Sequence, residues 1–591
     1  MAGKGDRGGP RAAPGGLAGR LTEYGDREMA LFIRRSFARS MGYSRDALAK
    51  PVVGIVDTRS DLNSCHRHIP ELVEAIKRGV WQAGGLPLAF PTISLGEVYL
   101  NPSSMMFRNL MALDVEAMIK AQPVDAVVLL GGCDKTVPAL LMGAASAGVP
   151  AIVEVVGPML SGNVGGERVG ACTDCRRFWA RFRGGEIDRA TIDAAENALV
   201  PTGGTCGVMG TASTMACLAE AMGLMLPGGA AIPAVHADRL RHGEETGKRA
   251  VALAGSDLAP AALVGEKTLE NALRVLLAIG GSTNAIIHLA AVAGRAGIRL
   301  QLSELDRLSE TTPVLVDLKP TGDGYMDDFF RAGGLGVVLR ELAPLLHLDA
   351  PTVTGATLGE VLAGPYEFPA WQNVIRPRSQ PLQKGGGLVV LRGNLAPDGA
   401  VLKRSAATPA LQETAGRAVV FTSLADLAER IDDPFLDVNA DDVLVLQNAG
   451  PRGGPGMPEA GALPIPRKLA AAGVKDMVRI SDARMSGSAF GTIVLHVSPE
   501  AAVGGPLSLV RSGDRIALSV QRRELNLLVD DAELAQRRAV MAPRGESVPV
   551  RGYERLYHEH VQQAHLGCDF DFLRHETLQA TDGSTHPPRR A

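Results

Sequence analysis

The sequence predicts an α/β protein in which an N-terminal parallel-sheet α/β domain precedes a β-rich, barrel-like C-terminal domain. From about residue 51 to 300, short β-branched runs alternate with longer helical stretches, which is the pattern of parallel βαβ units. Beyond the glycine run at 385–387 the chain becomes a series of strand-like segments with few helices between them. Such a series favours a barrel-like domain.

In the first domain, residues 52–57 and 125–130 are predicted to be buried strands, because both are continuous apolar runs. The stretch 139–160 contains Pro150, Glu154 and three glycines, which favours a helix, a turn and a strand over a membrane span. Helices are predicted over 69–83, 137–147 and 208–222. Strands of the second domain are predicted over 388–391, 418–421, 443–446, 476–480, 492–497, 515–520 and 524–529.

These patterns divide the chain into two domains with a tail at each end. A linker is expected near 365–387, where Pro, Gln, Arg and Gly cluster. The predicted parts are a flexible tail (1–24), an α/β domain that carries the cysteine cluster (25–380), a β-barrel-like domain (386–578) and a second flexible tail (579–591).

Charge and composition exclude several classes of function. The 591 residues include 61 Lys+Arg and 64 Asp+Glu, so no basic excess exists to neutralise nucleic-acid phosphates. Residues 1–20 contain no apolar targeting segment. Seven cysteines at irregular spacing do not form a disulfide framework. We therefore expect a cytoplasmic protein with neither a nucleic-acid nor a membrane partner.

Three cysteines stand in similar places. Cys65 and Cys133 come shortly after a predicted strand, and these two and Cys206 each precede a predicted helix. Because the carboxyl ends of parallel strands meet at one edge of a sheet, the three thiols are expected to converge there. Helix N-termini favour thiolates, so the hypothesis is a thiolate-ligated metal centre with one open coordination position for a Lewis acid. The alternative is that they are small buried apolar residues.

The remaining cysteines give weaker signals. Cys172 and Cys175 form a CxxC motif without the second pair that a structural zinc site needs, so a structural or substrate-lining role is favoured. Cys217 lies in an apolar helix and is predicted to be in the core. Cys568 has no predicted role.

Oxygen and nitrogen ligands flank the same predicted edge. Asp134 and Lys135 directly follow Cys133, Glu97 ends a turn after a strand-like run, and Glu459 ends a glycine- and proline-rich loop of the second domain. Carboxylates from separate loops suit a hard divalent cation such as magnesium. Taken singly, each is more often a surface charge or a helix cap.

Ser486 precedes Gly487 in a predicted tight turn, SDARMSG. A turn-forming serine is one interpretation. The other is a base that acts as an alkoxide, which only neighbouring cations would make accessible. The glycines at 204, 207 and 210 do not form a GxGxxG motif, so no nucleotide cofactor is indicated.

A series of segments occurs in unbroken order between about residues 25 and 575: NSCHRH, ISLGE, GGCDKTVPALLMG, PTGGTCGVMGTASTM, GGSTNAIIHL, DDVLVLQNAGPRGGPGMPE, SDARMSG and HVSPEAAVGGPL. Together they resemble the family of iron-sulfur dihydroxy-acid and sugar-acid dehydratases. NSCHRH, the Glu of LGE and ACTDCRRFW are similar to the branch that acts on pentonates such as L-arabinonate and D-xylonate.

The resemblance implies a hydro-lyase that converts a sugar acid into a 2-keto-3-deoxy acid, in a homodimer or homotetramer. It implies a 2Fe-2S cluster held by Cys65, Cys133 and Cys206, with Lewis acidity for the leaving hydroxyl. It also implies Ser486 as the base and Mg²⁺ held by residues that include a carbamylated Lys135. The other implied magnesium ligands are Glu97, Asp134 and Glu459.

The sequence leaves two alternatives open. A dihydroxy-acid dehydratase of branched-chain amino-acid synthesis would use the same fold. A non-catalytic iron-sulfur redox or sensor protein would use the three cysteines but leave Ser486 and the Glu459 loop without a purpose. Thr173, Asp174 and Arg176 are candidates to bind the distal hydroxyls of a substrate, and a salt-bridged loop is the alternative for them.

Overall fold

The computed structural model describes residues 15–22, 25–540, 549 and 551–575. The strands of the first domain are β1 (Val52–Asp57), β2 (Leu86–Pro91), β3 (Ala126–Gly131), β4 (Ala151–Val155), β5 (Gly162–Val164) and β6 (Glu167–Val169). Its helices are α1 (Arg27–Ser40), α2 (Ile69–Gln82), α3 (Ser104–Ala121), α4 (Thr136–Ala147), α5 (Ala171–Arg183), α6 (Arg189–Ala198), α7 (Thr211–Ala221), α8 (Ala237–Leu253), α9 (Pro260–Leu263), α10 (Glu266–Ala278), α11 (Asn284–Arg295), α12 (Leu302–Thr311), α13 (Met326–Arg331), α14 (Gly334–Leu342) and α15 (Leu358–Leu362).

A four-stranded parallel sheet with the order β2-β1-β3-β4 organises this domain. Every residue of β1 and β3 is buried, as expected for a parallel sheet that is covered by helices. The predicted α/β class is therefore confirmed. Its consequence for function is that β1 and β3, which are neighbours, deliver the loops after Asp57 and Gly131 to the same edge of the sheet.

The second domain is a closed barrel with the strand order β10-β11-β12-β8-β7-β14-β13-β9, which confirms the predicted barrel. Its strands are β7 (Val389–Gly393), β8 (Ala396–Leu402), β9 (Glu413–Phe421), β10 (Val443–Leu446), β11 (Arg479–Ser481), β12 (Ile493–Ser498), β13 (Arg515–Ser519) and β14 (Glu524–Leu527). Its helices are α16 (Leu424–Arg430), α17 (Arg467–Ala471), α18 (Asp531–Val540) and α19 (Gly552–His560).

Two barrel strands differ from the sequence prediction. β8 was not predicted, because Pro397, Asp398 and Gly399 at its start are typical of a turn. Here Gly399 has a φ of 104°, a backbone conformation that suits glycine, and the strand pairs with both β7 and β12. β11 is shorter and later than the predicted strand at 476–480.

The two domains share one apolar core at their junction. Leu388, Val390 and Val401 of the barrel lie in the same buried cluster as the helices of the first domain. The stretch 365–387 contains no helix or strand, and isolated bridges join Ile375 to Val316 and Gln383 to Val314. Loops of the barrel are thereby held against the edge of the parallel sheet.

Parts of the predicted tails lie outside the described residues. These are 1–14, 23–24 and all of 579–591. Within 15–22, the backbone N–H of Gly16 donates to the carboxylate of Asp125 at 3.1 Å. Among the described residues, no helix has both the length and the apolar composition that crossing a membrane requires.

Candidate active site

The three predicted thiols meet at the edge of the parallel sheet. Cys65 lies in a short 3-10 turn after β1, Cys133 follows β3, and Cys206 lies in the loop before α7. The thiol of Cys65 is close enough to act on both Cys133 and Cys206. The neighbouring Cys65 thiol, together with burial, raises the pKa of Cys133. A bound cation would be needed to keep such buried thiols ionised.

His66 ties the Cys65 loop to the Cys133 loop. Its Nδ1 donates to the Thr58 carbonyl at 2.7 Å, and its Nε2 accepts from the Gly132 N–H at 3.0 Å. Burial lowers the pKa of His66, which keeps the ring neutral for these two roles. Cys133 itself has a φ of 67°, which is uncommon for a residue with a side chain and costs conformational energy. Sequence reasoning gave His66 no role, although it stands in the NSCHRH segment.

The structure adds a fourth thiol to this group. Cys172, in the first turn of α5, has its Sγ 3.6 Å from the Sγ of Cys206. Its CxxC partner Cys175 is exposed, so the two sulfurs of the motif face different surroundings. Cys217 is buried in α7, as predicted, and burial raises its pKa. Cys568 is buried, with its Sγ 3.7 Å from the Sδ of Met457.

Three carboxylates face the thiols. One oxygen from each of Glu97, Asp134 and Glu459 lies within 4.8 Å of the other two. The Nζ of Lys135 is 3.1 Å from Glu97, 3.4 Å from Asp134 and 3.7 Å from Glu459, and its side chain is fully buried. The guanidinium of Arg484 is hydrogen-bonded to Glu459 and lies 3.5 Å from Glu97. Arg484 belongs to the SDARMSG segment, but its role was not predicted.

The negative charge of the three carboxylates is only partly offset by the positive charges of Lys135 and Arg484. Burial raises the pKa of Glu97, but Lys135 and Arg484 outweigh burial and lower it to about 2. Burial dominates at Asp134, where the neighbouring carboxylates add to it and the pKa rises to about 6. Burial and Arg484 lower the pKa of Lys135, but the three carboxylates outweigh them and raise it. One more positive charge at this position would allow all three carboxylates to ionise.

The barrel holds the Glu459 loop in place through hydrogen bonds from its backbone N–H groups to two buried carboxylates. The carboxylate of Asp482 accepts the N–H of Ala449 at 2.9 Å, and that of Glu500 accepts the N–H of Gly453 at 2.9 Å. Burial, with the charge of Glu500, raises the pKa of Asp482 to about 7. The loop that carries Glu459 is thus fixed by two buried acids rather than by regular secondary structure.

Ser486 lies in the turn that follows Arg484, the residue whose guanidinium is bonded to Glu459. Its Oγ is 2.7 Å from the Oγ of Ser488. Gly487 leaves no room for a side chain, because a Cβ there would lie 2.7 Å from the backbone N of Thr211 and from Ser282 Oγ.

Side-chain hydrogen bonds join this turn to the thiol side of the pocket, and they join Thr211, which packs against Gly487, to the carboxylate side. Thr173, next to Cys172, donates to the Ser488 carbonyl at 2.9 Å. Asn284 donates to Thr211 at 3.1 Å and to Glu459 at 3.4 Å. Its buried Oδ1 has no hydrogen-bond partner, so one polar atom beside the carboxylates remains available to a ligand.

Two candidates for binding distal hydroxyls have other partners. The hydroxyl of Thr173 donates its hydrogen bond to the Ser488 carbonyl. Asp174 is fully buried and pairs with Arg177 at 2.9 Å and Lys319 at 3.0 Å, which is the salt-bridged alternative. Arg176 is exposed on the surface of α5.

Known proteins match the chain over most of its length. The family models for the N- and C-terminal parts of dihydroxy-acid/6-phosphogluconate dehydratases match residues 50–361 and 373–568. An L-arabinonate dehydratase of Rhizobium leguminosarum bv. trifolii is 48% identical over 555 residues, which are 93% of this chain and 95% of that protein. A 6-deoxy-6-sulfo-D-gluconate dehydratase of Pseudomonas putida is 46% identical over 562 residues, or 94% and 96% of the two chains.

A dihydroxy-acid dehydratase of Caldicellulosiruptor bescii is more distant. It is 38% identical over 546 residues, which are 90% of this chain and 97% of that protein. All three relatives are dehydratases, and both halves of the chain match the same family. The chain therefore belongs to the dihydroxy-acid/6-phosphogluconate dehydratase family and is an enzyme of the hydro-lyase class.

Proposed function

We propose that the protein removes water from a sugar acid, an aldonate of the pentonate class such as L-arabinonate or D-xylonate, to give a 2-keto-3-deoxy acid. The observation that carries the proposal is the juxtaposition of thiols and partly buried carboxylates. The turn that contains Ser486 is bonded to Thr173 on the thiol side and, through Arg484, to Glu459 on the carboxylate side. The greater identity to the L-arabinonate enzyme than to the dihydroxy-acid enzyme supports a sugar acid as substrate.

The donor sets fit two different cofactors. Cys65, Cys133 and Cys206 would hold a 2Fe-2S cluster, because soft thiolates suit iron-sulfur centres. The oxygens of Glu97, Asp134 and Glu459, with a carbamylated Lys135, would hold Mg²⁺, a hard cation that prefers oxygen ligands. When bound, these groups supply Lewis acidity at the oxygens of the substrate.

Carbamylation of Lys135 agrees with the charge of the acid cluster. The amine attacks CO₂, forms an N–C bond and releases protons, so that an ammonium becomes an anionic carbamate. This change removes two positive charges, and one divalent cation restores them. The position that Nζ occupies among three carboxylates is therefore suited to a carbamate that shares a cation with them.

Ser486 is proposed to remove the α-hydrogen of the substrate. The Ser488 hydroxyl, 2.7 Å away, can donate to its Oγ and stabilise the alkoxide form. The N-terminus of α7, packed against Gly487, adds a favourable positive potential. Loss of the β-hydroxyl as water leaves an enol, which tautomerises to the 2-keto acid.

The test is an assay of the anaerobically prepared protein with Mg²⁺ for 2-keto product. L-Arabinonate and D-xylonate are compared with hexonates, 6-deoxy-6-sulfogluconate and 2,3-dihydroxyisovalerate. The proposal expects the largest kcat/KM for a pentonate. A preference for dihydroxyisovalerate would replace it with the branched-chain alternative, and a redox-active cluster without any dehydration would indicate a sensor. A homodimer or homotetramer is proposed, which light scattering checks.

A further inference from the structure

The four sulfurs of the pocket form two pairs. On one side, the thiol of Cys65 interacts with that of Cys133. On the other side, the Sγ of Cys172 is 3.6 Å from the Sγ of Cys206. The three-cysteine ligand set leaves Cys172 without a function, although it contacts one of the ligands directly.

The spacing within the Cys172–Cys206 pair is that of two ligands on one metal. A disulfide requires about 2.05 Å between its sulfurs. A tetrahedral metal with thiolates at roughly 2.3 Å separates two of them by about 3.8 Å. Two pairs of thiolates, one pair for each iron, are also the usual ligand set of a 2Fe-2S cluster.

The backbone around Cys172 is held firmly enough to keep this sulfur in place. Thr173, the next residue, donates to the Ser488 carbonyl, and Asp174 accepts the Gly170 N–H at 2.7 Å. The first turn of α5 is therefore anchored on both sides of Cys172. Cys175, one turn further along the same helix, is exposed and provides a natural comparison.

We propose that Cys172 is a fourth, exchangeable ligand of the iron that Cys206 holds, bound in the resting enzyme and displaced by a hydroxyl of the substrate. Binding forms an iron–sulfur bond and releases the thiol proton to solvent. Displacement breaks that bond and returns a proton to the thiolate, and no electron is transferred. In the absence of substrate, this ligand would protect the cluster from water and dioxygen. The inference rests on the cluster of the proposed function.

The experiment compares the wild-type enzyme with Cys172→Ala and Cys172→Ser, and uses Cys175→Ala as the matched control. The proteins are isolated anaerobically from cells grown with ⁵⁷Fe, and iron and sulfide per chain are measured. Substrate-free Mössbauer spectra then report the ligands of each iron. We expect two all-sulfur irons in the wild type and the control, and one iron with a non-sulfur ligand in both Cys172 variants. In air, clusters of these variants should decay about tenfold faster.

The possible failures can be told apart. Identical spectra for the wild type and a cluster-loaded Cys172 variant would overturn the role of Cys172 and leave the proposed function intact. Wild-type protein that assembles no cluster would overturn both. The serine variant preserves the size of the side chain, so it serves as the test if the alanine variant does not fold.

Discussion

The thiol cluster and the carboxylate cluster face each other but are built differently. Cys65, Cys133 and Cys206 all come from loops of the α/β domain. The carboxylates come from both domains, since Glu97 and Asp134 belong to the first and Glu459 to the barrel. The proposed iron-sulfur site can therefore form within one domain, whereas the proposed magnesium site is complete only with a residue of the barrel.

The largest effect is expected from removing a thiol. Cys133→Ser should abolish turnover and iron binding, because hydroxide is a poor leaving group without Lewis-acid assistance. The carboxylate cluster should still bind a divalent cation, which Mn²⁺ titration followed by electron paramagnetic resonance measures. Cys175→Ser is the control, because Cys175 is exposed. Substantial turnover by cluster-free protein would contradict a catalytic role for the thiol cluster.

Ser486→Ala tests the turn between the two clusters. The expected loss in kcat is about 10²–10⁴-fold, as for removal of a general base. Iron content and Mn²⁺ affinity should stay at wild-type values, because Ser486 belongs to neither ligand set. A variant with normal kcat would show that the serine only forms the turn, and a variant without iron would place it among the groups that build the thiol site.

Two buried lysines have opposite electrostatic surroundings. Lys135 is surrounded by three carboxylates, whereas the buried Nζ of Lys403, just after β8, has no hydrogen-bond partner. Burial lowers the pKa of Lys403 to about 7. The unfolded chain therefore binds more protons than the folded one between pH 7 and the ordinary lysine pKa, so stability should rise with pH across that window.

Lys403→Met removes this dependence. Below pH 7 both states are protonated and the burial penalty is complete, roughly 5 kcal/mol for a shift of this size. The variant should therefore unfold at higher urea than the wild type at pH 6, and the gain should shrink by pH 9.5. The exposed Lys475→Met is the control. An equal change in midpoint at both pH values would contradict the account.

The smallest effect is expected from the carboxylate that the barrel supplies. Glu459→Gln keeps the shape of the side chain but removes a charge, and it should weaken Mn²⁺ binding by about 10–100-fold. Cluster content should not change, since the thiols lie in the other domain. Glu524→Gln, a partly exposed position in β14, is the control. Loss of iron from Glu459→Gln would show that the two sites do not form independently.

The sequence predicts which residues converge at the candidate site, because parallel-sheet topology is local. Strand-end loops must meet at one edge, so Cys65 and Cys133 could be placed together from their positions after β1 and β3. The contact between Cys172 and Cys206 could not be predicted, because it depends on how α5 packs against a loop 34 residues away. The burial of Lys403 without a hydrogen-bond partner could not be predicted either, because its neighbour Arg404 suggests a surface position.

The most direct test of the central claim is anomalous diffraction at the iron edge from crystals grown anaerobically with Mn²⁺. We expect two iron peaks bonded to the sulfurs of Cys65, Cys133 and Cys206. We also expect a separate manganese peak among Glu97, Asp134 and Glu459. Data collected on either side of the iron and manganese absorption edges assign each metal. Crystals of active protein with no iron at these three sulfurs would contradict it.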